Sequence, residues 1–275
     1  MFSHHIRDRH DNMQNRYIDR ERYFNELAET SAGYYIDYIK RFKNIDKNSR
    51  IMEIGCGEGG NLLPFAKMGC LVAGLDLAPG KIDNARKFFA ANGADGVFSC
   101  ADFLKTNPFE GEDKFDVILI HDVIEHIEPE GKDAFFARLR FYLKQDGIVF
   151  FGFPAWQMPF GGHQQICRSK MCSKVPFYHV LPACIYKGWL RMFGEDQAKI
   201  DELMSIKRSR MSPEKFEALC TRHDYKIIDR TFWFISPHYK AKFHLRPRLL
   251  WNWLGHIPYL RNWFTTSCFY VIGNR

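Results

Sequence analysis

Short, mostly apolar runs that stop at glycine or at an acidic residue fill the first half of the chain. Between them lie stretches whose apolar positions recur at helical spacing. Residues 51–54 run into a cluster of glycines and predict a first strand, followed by a helix over 61–68. Residues 71–75 predict a second strand that ends at Asp76. A helix over 79–92 follows, opened by Pro79 and stopped by Asn92-Gly93. Strands over 97–100, 117–120 and 148–153, with a helix over 130–143 that ends before Gly147, complete the rhythm. Strands that alternate with helices in this way predict a parallel sheet with crossover helices on both faces. Ahead of it, Tyr17, Tyr23, Phe24, Leu27, Tyr34, Tyr35, Tyr38 and Ile39 recur at roughly helical spacing and predict one or two amphipathic helices within residues 8–47.

The rhythm breaks at Pro154. Residues 154–211 hold Pro154, Pro159, Pro176, Pro182 and the pair Gly161-Gly162, which suits an insertion or cap better than another strand-helix unit. Ser212-Pro213 then reads as the N-cap and first turn of a helix through His223. A strand over 225–234, a second insertion over 236–266 and a final strand over 267–272 close the chain. The organisation expected is N-terminal helices over 1–47, a nucleotide-binding core over 48–153, a substrate cap over 154–211, and a return to the core over 212–275.

Composition adds two points. At 275 residues and 46% hydrophobic, the chain has material for a large core, and wholesale disorder is excluded. The net charge of +7 is unevenly spread: residues 151–275 hold 19 Lys and Arg against 8 Asp and Glu, while residues 1–150 hold 20 against 24. No acidic residue follows Asp229, so the basic half is expected to face something anionic or a membrane surface. Cys56, Cys70, Cys100, Cys167, Cys172, Cys184, Cys220 and Cys268 form no C-x-x-C pair, and reduced core thiols of a cytoplasmic protein are expected. A metal group made of Cys167, Cys172, Cys184 and His163 fits no zinc spacing, so no metal is expected. The N-terminus has no apolar core of a secretory signal, and no run of about 18 apolar residues predicts a membrane span.

The chemistry concentrates in the segment from Arg50 to Gly60. Its glycines allow a sharp turn and a close approach of backbone to ligand at the start of a helix. Gly55-x-Gly57-x-x-Gly60 alone also matches the dinucleotide fingerprint. Glu53 precedes the glycines, and Asp76 ends the next strand, where a carboxylate can accept hydrogen bonds from both ribose hydroxyls of an adenosine.

With these residues the chain resembles the class I S-adenosylmethionine (SAM)-dependent methyltransferases. Their acidic-x-Gly-x-Gly-x-Gly motif is matched by Glu53, Gly55, Gly57 and Gly59, their ribose acid by Asp76, and their adenine-side acid by Asp102 in Cys-Ala-Asp-Phe. Residues 115–127, with Asp122, Glu125 and His126, look like the ubiquinone-biosynthesis-type branch, where an acidic-x-x-Glu-His pattern lies beside the methionine end of the cofactor. Leu143-Lys-Gln-Asp-Gly147 is also typical. The resemblance implies an α/β, Rossmann-like doubly wound fold: a mostly parallel seven-stranded sheet with an antiparallel last strand, plus the inserted cap. It implies SAM as cofactor, held by Glu53, Gly55, Cys56, Gly57, Gly59, Asp76, Leu77, Asp102, Phe103 and His121. Glu53 has an alternative part, organising the glycine loop by accepting backbone N–H groups. An NAD-dependent oxidoreductase would share the glycine loop and the ribose acid. The Asp102 match and the terminal strand pair count against it. A SAM-binding module without turnover is the third reading.

Methyl transfer from a sulfonium chiefly requires an aligned acceptor and the exclusion of water, with a general base for an oxygen or nitrogen acceptor. His121, His126 and His163 are candidates, because an imidazole titrates near neutrality. His163 lies in a glycine-shaped loop just after the fifth strand and is the preferred base; His121 and Asp122 come next. The cap mixes Trp156, Phe160, Phe177, Tyr178, Tyr186 and Trp189 with Arg168, Lys170 and Lys174, which suits a small-molecule, lipid-like or glycolipid acceptor with an anionic part, and O-methylation. Lys240, Lys242, Arg246 and Arg248 precede 249–254, and Tyr259, Trp263 and Phe264 follow, so residues 236–266 are expected to dock on the anionic inner face of a membrane. Pro247 and Pro258 are expected to bound a surface helix of about ten residues. No RNA-binding motif occurs, and nucleic acid is not an expected partner.

Overall fold

The computed structural model describes residues 19–109, 111 and 113–275, so Tyr17 of the predicted amphipathic segment lies outside the described residues. Eight strands form one sheet: β1 (Arg50–Ile54), β2 (Leu71–Asp76), β3 (Val97–Cys100), β4 (Phe115–His121), β5 (Leu143–Phe153), β6 (Tyr225–Ile235), β7 (Arg248–Leu249) and β8 (Ser267–Asn274). Their order is β3-β2-β1-β4-β5-β8-β6-β7. The first five are parallel to their neighbours. β8 enters antiparallel to β5, and β6 pairs antiparallel with β8.

Both faces of the central strands are buried, as a parallel sheet with helices on each side requires. Ile51, Val117, Leu119 and Phe150 enter one core, while Met52, Ile118, Ile120, Val149 and Phe151 enter the other. The alternation follows the two-residue side-chain period of a strand. The core holding Ile51 is closed by the N-terminal helix α1 (Arg20–Thr30), which continues through a π turn, Ser31–Tyr35, into α2 (Ile36–Lys40). Asp19 caps α1 by accepting the Arg22 N–H at 3.0 Å. Helices α3 (Leu63–Lys67) and α4 (Pro79–Ala91) contribute to the same core, and α5 (Pro129–Tyr142) to the other.

The cap carries α6 (Lys170–Lys174), α7 (Ala183–Met192) and α8 (Gln197–Ser209). It has a small core of its own, built from Cys167, Cys172, Tyr178, Tyr186, Leu190, Ile200 and Leu203. Its two ends meet at the sheet domain, where the Trp156 N–H donates to the Met211 carbonyl at 2.8 Å. The predicted N-cap is present: Ser212 accepts the Lys215 N–H at the head of α9 (Pro213–Arg222).

The second insertion departs from expectation. It opens with α10 (His238–Phe243), which lies against α1, with His238 Nδ1 3.3 Å from the Thr30 hydroxyl. The ten-residue helix between Pro247 and Pro258 does not form. Residues 248–249 make the edge strand β7, with Leu249 opposite Trp233, and the Leu250 N–H donates to the Phe232 carbonyl at 2.8 Å. Only Asn252–Gly255 is helical (α11). The sheet therefore has eight strands rather than seven. The edge of β6 satisfies the backbone just after Pro247, which lets Leu250 and Leu254 enter the sheet core.

Candidate functional site: a cofactor cleft and an acid–imidazole cluster

The glycine loop springs from the end of β1, beside the point where the strand order reverses between β1 and β4. The Gly55 and Cys56 N–H groups both donate to the Leu75 carbonyl, at 2.8 and 2.9 Å, which ties the loop to β2. Gly57 has φ +55°, and a Cβ placed there would meet nothing within 4 Å. The backbone at Gly57 therefore borders open space, in a conformation that side chains disfavour. Asp76 holds this geometry, accepting the Gly57 N–H at 3.0 Å on one carboxylate oxygen and the Ala78 N–H at 2.9 Å on the other. Each oxygen keeps a further lone pair for a hydroxyl. The Ala101 N–H donates to the Asp76 carbonyl, so Asp102 follows directly beside Asp76. Burial pulls the Asp102 carboxyl upward, but the Leu104 N–H and Lys105 outweigh it and hold it below its ordinary range.

Two of the residues expected to touch the cofactor have their side chains in the core. Phe103 turns its ring into the core, 5.0 Å from Phe135, because the chain after β3 tucks under α5. Cys56 is buried behind the loop, where its Sγ fills the space above Gly74. Leu77 is 69% exposed at the rim.

Glu53 does not organise the loop by accepting backbone N–H groups. It is 1% exposed; its Oε1 accepts the Asn61 side-chain amide at 2.7 Å, and Oε2 has no hydrogen-bond partner among the described residues. Burial first, and the nearby Asp76 charge second, push its carboxyl up to about 8 against the opposing Asn61 bond. The N-terminal helix closes over this loop. A Cβ at Gly60 would lie 2.4 Å from the Phe24 carbonyl oxygen, and the Ser31 hydroxyl donates to the Asn61 carbonyl at 2.7 Å. Arg20 Nε donates to the fully buried Glu58 at 2.6 Å. Sequence reasoning missed this pair, whose only signal was a carboxylate inside a glycine loop.

The second group gathers at the end of β4. Tyr35, from the π turn, places its hydroxyl 2.7 Å from His121 Nε2. His121 Nδ1 lies 3.5 Å from Asp122, which has φ +52°. Burial would raise the Asp122 carboxyl, but His121, His163, His238 and His126 together hold it below its ordinary value. Its side chain is 45% exposed. Glu125 is buried, and its carboxylate makes no hydrogen bond to another described residue. Burial first, then Asp122, push its carboxyl well above the usual range.

The cap delivers His163 to this group, with Nε2 3.5 Å from Glu125 Oε1 and its ring 4.9 Å from His126, edge to face. Burial and His126 drive its pKa down to about 3, against a smaller upward pull from Asp122. His163 is thus neutral at physiological pH. Donor atoms of Glu125, His126 and His163 all lie within 4.8 Å of one another. Tyr239 of α10 also reaches this region: burial, and then the Asp122 charge, push its phenol up to about 12. No spacing in the sequence pointed to Tyr35 or Tyr239, which arrive from opposite ends of the chain. The structure thus joins Asp122, Glu125, His126 and His163 in one cluster, and gathers Glu53, the glycine loop, Asp76 and Asp102 in another.

An open sheet in this order, with a glycine turn after β1 and an acid at the end of β2, defines a Rossmann-like nucleotide-binding class. Residues 51–147 match a family model described as a methyltransferase domain. The ubiquinone biosynthesis O-methyltransferase of Bartonella tribocorum is 34% identical over 128 residues, 44% of this chain and 49% of that protein. That of Actinobacillus pleuropneumoniae serotype 5b is 29% identical over 119 residues, 42% of this chain and 50% of that protein. An uncharacterized protein of Rickettsia prowazekii is 32% identical over 119 residues, 41% of this chain and 21% of that protein. The matched segments thus span half or less of these relatives. Among solved structures, a SAM-dependent methyltransferase from Clostridium acetobutylicum superposes with a TM-score of 0.55 at 12% identity, covering 90% of this chain and 91% of that one. The magnesium protoporphyrin IX methyltransferase of Synechocystis with bound S-adenosylhomocysteine gives 0.51 at 13%, covering 93% and 84%. At such identities the likeness is one of fold. The segment 51–147 is thus similar to methyltransferase domains, and the fold is one shared with SAM-dependent methyltransferases.

Proposed function

We infer that the chain moves the methyl group of SAM to an oxygen of a small-molecule or lipid-like acceptor, glycolipids included, and works against an anionic membrane surface. The observation that carries the reading is the open space at Gly57, bordered by the Asp76 carboxylate, with the acid–imidazole cluster on the neighbouring strand. In the reaction the acceptor oxygen attacks the methyl carbon, and the electrons of the breaking C–S bond pass to sulfur, leaving S-adenosylhomocysteine. The chain has to align the acceptor and exclude water. His163 enters neutral, and its imidazole takes the hydroxyl proton as the new bond forms. The ionised Asp122 steadies the resulting imidazolium. The names of the ubiquinone biosynthesis O-methyltransferase relatives support oxygen as the accepting atom.

The membrane part rests on the second insertion. Trp251, Trp253 and Tyr259 are 55, 65 and 67% exposed, and Lys240, Lys242, Arg246 and Arg248 precede them in the same insertion. Aromatic side chains with a polar edge favour the headgroup boundary. An open groove of about 540 Å³, lined in part by Trp156, Arg210, Lys215, Tyr259 and Trp263, runs beside this face. Trp263 meets Phe177 of the cap at 5.8 Å, so cap and insertion share the apolar surface. No helix among the described residues is long and apolar enough to cross a membrane.

The deciding experiment is metabolite and lipid profiling with an isotope-labelled methyl donor, comparing wild type with Asp76→Ala. Label is expected in an apolar, anionic product with the wild type alone. SAM binding without any labelled product would leave a binding module, and NAD binding in place of SAM would restore the oxidoreductase reading.

A further inference from the structure

The cap holds a second cluster, remote in purpose from methyl transfer. Cys167 Sγ, Cys172 Sγ and a Glu195 carboxylate oxygen lie within 4.8 Å of one another, and all three residues are buried. Cys184 and His163, which the sequence set beside these cysteines, are not among them: Cys184 is exposed on α7, and His163 pairs with Glu125. Glu195 is fixed in place by two backbone donors, the Arg168 N–H at 3.1 Å and the Ser169 N–H at 2.8 Å. Each of its oxygens still has a lone pair directed elsewhere. The Tyr178 hydroxyl lies 3.8 Å from Cys167 Sγ. Tyr186, fully buried in the same core, has a hydroxyl without a hydrogen-bond partner among the described residues. Buried polar atoms seldom stay unpaired, so this core has unmet bonding capacity.

We propose that Cys167, Cys172 and Glu195 form a structural zinc site that staples the cap. Two sulfurs and one carboxylate oxygen are a donor set that Zn²⁺ accepts, with a water in the fourth place. Tetrahedral zinc with Zn–S bonds of about 2.3 Å separates two thiolate sulfurs by about 3.8 Å, within the spread these atoms already have. The N–H groups on Glu195 do the orienting that outer partners supply to metal ligands. Binding releases both thiol protons to solvent, and no atom changes oxidation state. The site joins α6 and the segment before it to the turn before α8, beside a small apolar core.

The test uses the full chain purified under reducing conditions without a metal-affinity tag. Elemental analysis should find about one zinc per chain, as one tetrahedral site requires. Cobalt(II) exchanged into the protein should give intense visible bands and a near-ultraviolet thiolate-to-cobalt charge-transfer band. The band should vanish in Cys167→Ala/Cys172→Ala, persist in His126→Ala/His163→Ala, and be lost to chelator faster in Glu195→Gln. If the double cysteine variant fails to fold, the wild-type cobalt spectrum and the Glu195→Gln chelation rate still decide. Wild-type protein with free thiols and no zinc after loading would overturn the proposal. So would a Cys167–Cys172 disulfide, seen as a mass lower by two hydrogens, or zinc retained without the cysteines.

Discussion

Glu53 ties the chemistry of the cleft to a quantity that calorimetry reads directly. Its carboxyl is buried, has one unpartnered oxygen, and is pushed up to about 8 by burial and by Asp76. At pH 7 about nine-tenths of it is therefore protonated, and ionising it costs about 1.4 kcal/mol. The amino group of S-adenosylhomocysteine, a free amino acid, is cationic at that pH. If the ammonium lands beside the free oxygen, Glu53 ionises. It then gives up about 0.9 proton, so binding at pH 7 releases about 0.9 proton per ligand.

Titration calorimetry in buffers of different ionisation enthalpy gives this number as a slope. Glu53→Gln should flatten the slope to near zero. Its affinity should fall only a few-fold, because the amide forgoes the ion pair but also the ionisation cost. The sign for the ligand-free protein is opposite to that of an ordinary carboxylate. A raised carboxyl contributes stability that is complete below about pH 4.5 and is lost as pH rises through 8. Ligand should therefore stabilise the protein more at pH 8 than at pH 6. Tight binding by the wild type with no proton release would refute the reasoning and leave Glu53 as a neutral support for Asn61.

Three further outcomes are expected. Gly57→Arg should abolish SAM binding by filling the open space at a left-handed position, and Asp76→Ala should weaken it by about 1.5–3 kcal/mol, both measured by titration; unchanged affinity in both would move the site. His163→Ala should lower turnover by about 10²–10⁴-fold at saturating acceptor with cofactor affinity nearly intact, whereas a loss below tenfold would remove it as the base. The protein should sediment with phosphatidylglycerol vesicles, release as salt rises, and bind less as Trp251→Ala/Trp253→Ala; four basic residues at about 1 kcal/mol each would supply about 4 kcal/mol at low salt, and equal pelleting with neutral vesicles would retire the membrane reading.

The core was legible because its physics is local. A parallel strand buried on both faces must be apolar nearly throughout, and Pro79 and Asn92-Gly93 bracket a helix wherever they fall, so the five parallel strands and their order in sequence follow from the pattern alone. Asp76 was readable for the same reason: a carboxylate at a strand end beside a glycine turn has few other uses, and here it accepts two loop N–H groups. Residues 248–249 were not readable. Their tendency toward helix was weaker than the open edge of β6, a partner set by the tertiary fold and invisible in a window of ten residues.

The acid–imidazole cluster marks the boundary between the two kinds of information. Asp122, Glu125 and His126 stand within five residues on the motif segment, so their proximity to one another is local. His163 comes from the cap, Tyr35 from the N-terminal π turn and Tyr239 from the second insertion, and nothing in their spacing says that they converge. Each is carried by a segment outside the parallel core. The glycine-loop side is thus built from residues that the strand-helix rhythm fixes, whereas the acid–imidazole cluster is completed by residues from outside it. A relative that shares the rhythm over 119 residues need not share the insertions, which is why similarity to the O-methyltransferases extends to cofactor chemistry while the acceptor has to be found by its methylated product.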